Sequence, residues 1–211
     1  HRRSRYEPVD YILGHGEFMG LTFKVDRRVL VPRPSTELVV EKVLQHCGLD
    51  VGIGSQIRPY YQCTPLIFDI GTGCGAAAIS IAHFLPLARV IASDISSDAI
   101  VVATKNVIFH DLSSTISLVV ADMQPPTRTR PDLLVANLPY IPSREIRHMQ
   151  RDVRDFEPRI ALDGGSDGFD LHRRLIQVAE IRRGGAMFLE IGYDHADLVR
   201  RAAWLRSPDL R

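Results

Sequence analysis

The sequence lacks a long apolar run. None approaches the roughly 20 residues that a membrane helix needs, and no signal-peptide core follows the basic first five residues. Cysteine is also scarce, because Cys47, Cys63 and Cys74 are its 3 cysteines. They lack the spacing of a metal site, and an odd number is typical of free thiols in a reducing compartment. We therefore expect a cytoplasmic protein with neither a disulfide nor a bound metal.

An excess of charge of one sign is missing too. The 26 Lys and Arg and 25 Asp and Glu leave a net charge of +1, which argues against a dedicated duplex-DNA binder with its concentrated basic face. Hydrophobic residues at 45% and charged residues at 24% match soluble globular proteins and exclude a disordered or fibrous chain. With 211 residues we expect one α/β domain and a short appendage. Because the chain does not begin with Met, we also expect it to be part of a longer protein.

Apolar runs alternate with helical patterns beyond residue 64. Strands are predicted over 65–70, 89–93, 116–121, 133–136 and 186–191, and helices over 76–84, 98–109 and from 196. Runs of this kind, separated by helices, indicate a parallel sheet covered on both faces. The predicted fold is α/β, with a doubly wound and mostly parallel sheet.

A β-hairpin and a helix are predicted before this sheet. Apolar and polar residues alternate over 17–34 up to a Pro-Arg-Pro turn, which indicates two short strands. Residues 35–47 have helical periodicity, with Ser35 as the predicted cap and Gly48 as the end. Residues 49–64 predict a loop. We divide the chain into an N-terminal segment with the hairpin (1–34) and a catalytic domain (35–211).

A glycine-rich loop follows the first strand of the predicted sheet. Asp69 precedes Gly71, Gly73 and Gly75, and Asp94 ends the next strand. Glycines let the backbone approach a ligand, and an acid at the second strand end can accept hydrogen bonds from both hydroxyls of an adenosine ribose. The spacing also fits a dinucleotide, but Asp69 would repel a pyrophosphate and can face the ammonium of a methionine moiety. The pattern favours S-adenosylmethionine, with NAD as the alternative.

Two residues after the third strand complete the predicted donor site. Asp122 can accept a hydrogen bond from the exocyclic amine of adenine. Met123 can cover the adenine ring, and a plain core role for it is an equal alternative. The predicted donor-binding residues are Asp69, Gly71, Thr72, Gly73, Cys74, Gly75, Asp94, Asp122, Met123 and Asn137.

Asn137, Leu138, Pro139 and Tyr140 follow the fourth strand at the same edge of the sheet. Amide and exocyclic amine nitrogens are poor nucleophiles, because their lone pair is delocalised, so positioning must supply much of the catalysis. The Asn137 side-chain carbonyl and the Leu138 backbone carbonyl can accept the two N–H bonds of a substrate NH₂ group. The ring of Tyr140 can line the pocket beside the planar substrate group. The loop predicts methyl transfer to a planar nitrogen, and a plain strand-ending turn is the alternative.

Both loops resemble those of class I methyltransferases, and further segments narrow the resemblance to the HemK/PrmC family. Its members methylate N5 of the glutamine in the Gly-Gly-Gln motif of peptide-chain release factors. The resemblance extends over about residues 8–203, departing at Leu138, where the family usually has proline, and at Ser35, where it has an acid. The segments that carry it are 11–14, Glu17-Phe18, 29–34, Thr36-Glu37, 155–158, 161–162 and Gly164-Gly165.

The resemblance implies a donor, a partner and a cavity. The cofactor is S-adenosylmethionine, the partner is a release factor, and Phe18, Pro32, Arg33 and Pro34 line the substrate cavity. For Phe18, a plain core role on the hairpin is an equal alternative. Family members also have an N-terminal helical domain and a final antiparallel hairpin, and neither is evident in these 211 residues. The Asn-Leu-Pro-Tyr loop also resembles that of ribosomal-RNA adenine dimethylases. A nucleic-acid amine methyltransferase is therefore the alternative, and otherwise no direct nucleic-acid or membrane partner is expected.

Overall fold

The computed structural model describes residues 1–49 and 64–206, which form a five-stranded parallel sheet with flanking helices and an antiparallel hairpin. The predicted fold class is confirmed. Short 3₁₀ helices lie at Arg3–Arg5, Ile146–His148 and Arg159–Ala161. The other elements are α1 (Val9–Leu13), β1 (His15–Phe18), β2 (Leu21–Lys24), α2 (Pro34–His46), β3 (Leu66–Ile70), α3 (Ala76–Phe84), β4 (Arg89–Asp94), α4 (Ser97–Phe109), β5 (Ile116–Val120), β6 (Leu133–Ala136), α5 (Arg151–Phe156), α6 (Asp170–Val178), β7 (Ala186–Leu189) and α7 (Ala196–Arg206).

The strand order of the sheet is β5-β4-β3-β6-β7, and all its strands are parallel. The chain proceeds outward from β3 to β5 and then returns to the other side of β3 with β6. Connections that leave β3 and β6 in opposite directions open a crevice at their carboxyl ends, which is where ligands bind in open α/β sheets. The glycine loop and the Asn-Leu-Pro-Tyr loop follow these two strands.

The hydrophobic core has two parts, one on each face of the sheet. In β3 the side chain of Ile67 packs with α2, α3 and α4 in one cluster, while Phe68 and Ile70 pack with Leu175 of α6 in the other. Successive strand side chains point to opposite faces, so a strand covered on both sides is mostly apolar. This explains why Asp69 is the one polar residue of β3.

The hairpin lies earlier in the chain than the pattern over 17–34 indicated. Met19 and Gly20 connect β1 to β2 with φ of 51° and 73°, and positive φ at both central positions is typical of the type I′ turn that suits hairpin twist. Val29 and Val31 are buried, but they belong to no strand. Their alternation reflects burial of an irregular segment, and the predicted strand bounds are therefore wrong.

Asn106 of α4 joins the hairpin to the glycine loop. Its Oδ1 accepts the Lys24 N–H at 2.8 Å, and its Nδ2 donates to the Lys24 carbonyl at 3.0 Å and to the Cys74 carbonyl at 2.8 Å. The Asn106 side chain is fully buried, so these bonds satisfy polar groups that water cannot reach.

Helix α2 begins one residue before the predicted bound and ends at His46, followed by Gly48 with φ of 78°. The prediction that Ser35 caps it is wrong. Pro34 occupies the first helical position, where its missing N–H costs nothing, and Arg33 is the N-cap residue. Residues 50–63 lie outside the described residues, and they include Cys63 and all but the two ends of the loop predicted over 49–64. None of the described helices is long and apolar enough to cross a membrane.

Candidate active site

A cavity of about 530 Å³ lies at the carboxyl ends of β3, β4, β5 and β6, within the usual size range of small-molecule sites. Among the described residues it brings together most of the predicted site. Pro34, Gly75 and Tyr140 are predicted site residues that do not line it. Those that line it are Phe18, Pro32, Arg33, Asp69, Gly71, Thr72, Gly73, Cys74, Asp94, Asp122, Met123, Asn137, Leu138 and Pro139.

The glycine loop turns back against the end of β4. The Gly71 and Thr72 N–H groups donate to the Ser93 carbonyl at 2.8 and 2.9 Å. Gly71 has φ of 74°, and a Cβ there would lie 3.0 Å from Cδ2 of Leu138. A Cβ on Gly73 would meet nothing within 4 Å, so that position is open to the cavity. Gly75, at the start of α3, faces Ile79 instead, which explains why it does not line the cavity.

Asp94 is held by the backbone on both of its oxygens. Oδ2 accepts the Gly73 N–H and Oδ1 accepts the Ser96 N–H, each at 2.9 Å. Burial raises the pKa of Asp94, and these backbone hydrogen bonds oppose the rise. Each carboxylate oxygen has a second lone pair, so Asp94 can accept two further hydrogen bonds at the cavity wall.

Asp69 is a buried carboxyl group facing the cavity. Its side chain accepts a hydrogen bond from the Thr72 hydroxyl at 2.7 Å, and only 2% of the residue is exposed. Burial raises the pKa of Asp69 to about 6, and the Thr72 hydrogen bond opposes the rise. No cation of the described residues contributes to this pKa. A ligand ammonium at this wall would supply the missing charge partner.

Asp122 forms an ion pair with Arg174 of α6. The two guanidinium nitrogens Nη1 and Nη2 donate to its two oxygens at 3.0 and 2.6 Å, and both residues line the cavity. Met123 next to it has φ of 66°, and its carbonyl accepts the Ser93 hydroxyl at 2.9 Å. The Met123 side chain belongs to the core cluster beneath the sheet and also faces the cavity.

Asn137 lines the same cavity as Gly73 and Asp94. Its Nδ2 donates to the Thr36 hydroxyl oxygen at 2.8 Å. The amide nitrogen is thus occupied by α2, and the amide oxygen is the end that remains for a ligand. Sequence reasoning noted Thr36 in a motif but assigned it no role.

A salt bridge joins the two motifs that carry much of the family resemblance. Arg33 Nη2 lies 2.6 and 2.7 Å from the two carboxylate oxygens of Glu157. The Glu157 side chain is 1% exposed, whereas Arg33 lines the cavity and is 34% exposed. Burial raises the pKa of Glu157 and the Arg33 charge lowers it. The pair fixes the Pro-Arg-Pro turn against the segment that leads to Pro158, another cavity residue.

Glu190, directly after β7, is a buried acid that sequence reasoning missed. Its Oε1 accepts the Ser35 hydroxyl at 2.9 Å and the Tyr140 hydroxyl at 3.3 Å. Oε2 is buried with no hydrogen-bond partner among the described residues. Burial raises the pKa of Tyr140, with a further contribution from the Glu190 charge. Tyr140 is therefore fixed behind the loop, outside the lining of the cavity.

The first turn of α2 connects four parts of the site. Besides the contacts of Arg33, Ser35 and Thr36, the Glu37 carboxylate accepts the Met19 N–H of the hairpin turn at 2.6 Å.

Within residues 1–49 and 64–206, no group of three His, Cys, Asp or Glu side chains has the arrangement of a metal site.

One family model matches the middle of this chain, and full-length relatives match nearly all of it. The sequence model of ribosomal protein L11 methyltransferase (PrmA) matches residues 49–156, which hold both loops. The release factor glutamine methyltransferase of Moorella thermoacetica is 44% identical over 205 residues, which cover 96% of this chain and 68% of that protein. The protein of the same name from Chlorobaculum tepidum is 40% identical over 205 residues, or 94% of this chain and 67% of that protein. This chain belongs to the release factor glutamine methyltransferase family.

Members of this family align well beyond the shared core. The Geobacter sulfurreducens protein of the same name is 38% identical over 203 residues, 94% of this chain and 65% of that protein. The chain therefore spans about two thirds of the length of these relatives, and the alignments include the hairpin and the first turn of α2. These are the segments on which the resemblance to the HemK/PrmC family depends, so the family prediction is confirmed.

Solved structures agree on the fold. The ribosomal protein L11 methylase of Lactobacillus delbrueckii subsp. bulgaricus matches with a TM-score of 0.56 at 16% identity, over 85% of this chain and 71% of that one. TrmN from Thermus thermophilus matches with a TM-score of 0.52 at 19% identity, over 77% of this chain and 40% of that one. At such identities the similarity shows the class of fold alone.

Proposed function

We propose that this chain methylates the side-chain amide nitrogen, N5, of a glutamine in a peptide-chain release factor, with S-adenosylmethionine as the methyl donor. One observation carries the proposal: a single cavity is lined by both the glycine loop with its two acids and Asn137. The names of the relatives support the substrate class. The glutamine of the Gly-Gly-Gln motif is the acceptor that the family resemblance implies.

The chemistry of the cavity wall fits the donor. Asp69 offers a buried carboxylate without a cation to the ammonium of the methionine part, and Asp94 has lone pairs for two ribose hydroxyls. Met123 and the open position at Gly73 leave room for the rest of the molecule. The bound donor supplies an electrophilic methyl group on a sulfonium. Asp122 is paired with Arg174, so it accepts a hydrogen bond from the adenine amine only through the lone pairs that Arg174 does not use.

The substrate amide needs orientation more than activation. The Asn137 Oδ1 and the Leu138 carbonyl accept its two N–H bonds, which aims the nitrogen lone pair at the methyl group. These contacts strengthen as positive charge grows on nitrogen, so they stabilise the transition state more than the bound substrate. No general base is required, because the methylated nitrogen sheds a proton afterwards. Phe18, Pro32 and Arg33 form the part of the wall nearest the substrate.

A labelling experiment tests the proposal. Purified protein, labelled donor and a release factor are expected to give one methyl group per factor, located on the Gly-Gly-Gln glutamine by mass spectrometry. Gln→Ala in that motif serves as the matched control and removes the label. Label that persists in the control, or that appears on RNA but not on protein, contradicts the proposal. Because release factors act in translation, we propose the cytoplasm as the site of action.

Removal of the Asn137 side chain separates catalysis from donor binding. Asn137→Ala is expected to raise the barrier to methyl transfer by about 2 to 4 kcal/mol, as loss of a preorganised polar contact does elsewhere. Donor affinity, measured by calorimetry, should change much less, because the two acids that we assign to the donor stay in place. Near-normal turnover in this variant would remove Asn137 from its proposed role.

A further inference from the structure

The two ends of an asparagine amide are chemically opposite. The oxygen accepts hydrogen bonds and the nitrogen donates them. A glutamine substrate presents N–H groups to Asn137, so only the oxygen end suits it. An amide turned by half a rotation would set two donors against each other. Something in the fold must therefore select one orientation of Asn137.

Thr36 makes the contact that performs this selection. Its hydroxyl oxygen lies 2.8 Å from Asn137 Nδ2 and accepts its hydrogen bond. The Thr36 residue is 8% exposed, so water competes little for its hydroxyl group. Asn137 is partly buried, so without this acceptor its amide nitrogen would lose a hydrogen bond that fixes its orientation.

The backbone around Thr36 is fixed independently of Asn137. The Thr36 N–H donates to the Arg33 carbonyl at 3.0 Å, and Arg33 is held by the buried Glu157. One residue further, the Glu37 carboxylate accepts the Met19 N–H. The hydroxyl thus projects from a turn that is anchored on both sides. Because its own position is fixed, it can set the orientation of the Asn137 amide.

We propose that Thr36 is a positioning residue for methyl transfer: its hydroxyl holds the Asn137 amide with the oxygen toward the substrate glutamine. The inference rests on the proposed function, because it assigns a determinant of substrate recognition at the same site. It predicts that the hydroxyl, and not the bulk of the side chain, sets the rate. Binding of the donor should depend on it little, because the contacts that we propose with Asp69 and Asp94 stay in place.

A threonine-to-valine pair supplies the kinetic test. Thr36→Val, which has a similar shape and no hydroxyl, is expected to lower kcat at least tenfold while the donor Kd changes less than threefold. Thr36→Ser, which keeps the hydroxyl, should restore most of kcat. Thr104→Val is the matched control, because the Thr104 hydroxyl bonds to its own helix at Ile100 on the exposed side of α4. Equal kcat in Thr36→Val and wild type, or equal losses in Val and Ser variants, would overturn the proposal.

A spectroscopic measurement keeps the test independent of catalysis. The Asn137 side-chain NH₂ signal in a ¹⁵N spectrum, identified by its loss in Asn137→Asp, should shift and exchange faster with water in Thr36→Val but not in Thr104→Val. An unchanged signal in Thr36→Val overturns the proposal even if kcat falls. If the wild-type protein methylates no release factor, the proposed function fails, and this signal still reports on the contact between Thr36 and Asn137.

Discussion

The pKa of Asp69 predicts that the donor binds more weakly in mild acid. Burial raises this pKa from 3.8 to about 6. With a pKa of about 6, roughly 90% of the carboxyl groups are ionised at pH 7 and roughly 10% at pH 5. If the donor ammonium pairs with the ionised form, its Kd should rise about tenfold between pH 7 and pH 5. An ordinary aspartate stays mostly ionised at pH 5 and would give almost no change.

The contribution of Asp69 to the stability of the free protein should have the opposite dependence on pH. Because the pKa in the fold lies above that of the unfolded chain, the native state binds the proton more tightly. Its contribution to stability is fully present below pH 3.8 and is lost as the pH rises through about 6. A shift of this size corresponds to about 3 kcal/mol. The donor should therefore stabilise the protein more at pH 7 than at pH 5, in thermal unfolding with and without ligand.

Calorimetric titration with S-adenosylhomocysteine, the stable product of the donor, measures the effect at pH 5, 6 and 7. Its amino and carboxyl groups do not titrate appreciably in this range. Asp69→Asn is the matched control, and we expect weaker binding with a much smaller dependence on pH. Asp94, whose pKa burial also raises, remains present in that variant. A wild-type Kd that is the same at pH 5 and pH 7, or an undiminished pH dependence in Asp69→Asn, would refute the role of Asp69.

Two further predictions concern contacts that hold the site together. Arg33→Met leaves Glu157 buried without its cation and should lower the free energy of unfolding by about 3 kcal/mol in denaturant titrations. The double variant Arg33→Met with Glu157→Leu should lose much less of this free energy. Equal losses in the two variants would contradict the role of the ion pair. A Cβ at Gly164 would lie 2.6 Å from the Gly168 carbonyl oxygen and 2.7 Å from that of Pro139. Gly164→Ala should therefore displace the loop of residues 137–140, lower kcat more than tenfold and cost about 2 kcal/mol of stability. Gly192→Ala is the control, since its nearest neighbour is the His195 ring at 3.1 Å; an equal effect of the two substitutions on kcat would exclude the mechanism.

Strands of the central sheet could be predicted from the sequence alone because they are mostly apolar and bounded by turn residues. Helix Ala76–Phe84 and strand Leu133–Ala136 have the predicted bounds. Helix α6 was not predicted, although Leu171, Leu175 and Ile176 stand at helical spacing and could have indicated it. The division of the chain at residue 34 stays a prediction.

Pairings across long stretches of chain could not be predicted. The motifs that contain Arg33 and Glu157 could both be recognised in the sequence. A single sequence does not indicate, however, that these two side chains form an ion pair. Ser35 illustrates the same limit, because its residue type predicts a helix cap while its hydroxyl bonds to an acid 155 residues away. Local patterns report on local structure, and tertiary contacts override them.

The sequence separations at the first turn of α2 bear on how the protein is made. Its bonds to Asn137, Glu157 and Glu190 span 101, 124 and 155 residues. During synthesis from the N-terminus, this turn emerges early. Its contact with Met19 can form at once, but these three partners follow only after most of the chain has been made. The glycine loop and Asp94 are only 21 residues apart at their contact and need no such delay. Because contacts between distant residues form slowly, a nascent chain should form the contact between the glycine loop and Asp94 before the contacts of the α2 turn with Asn137, Glu157 and Glu190.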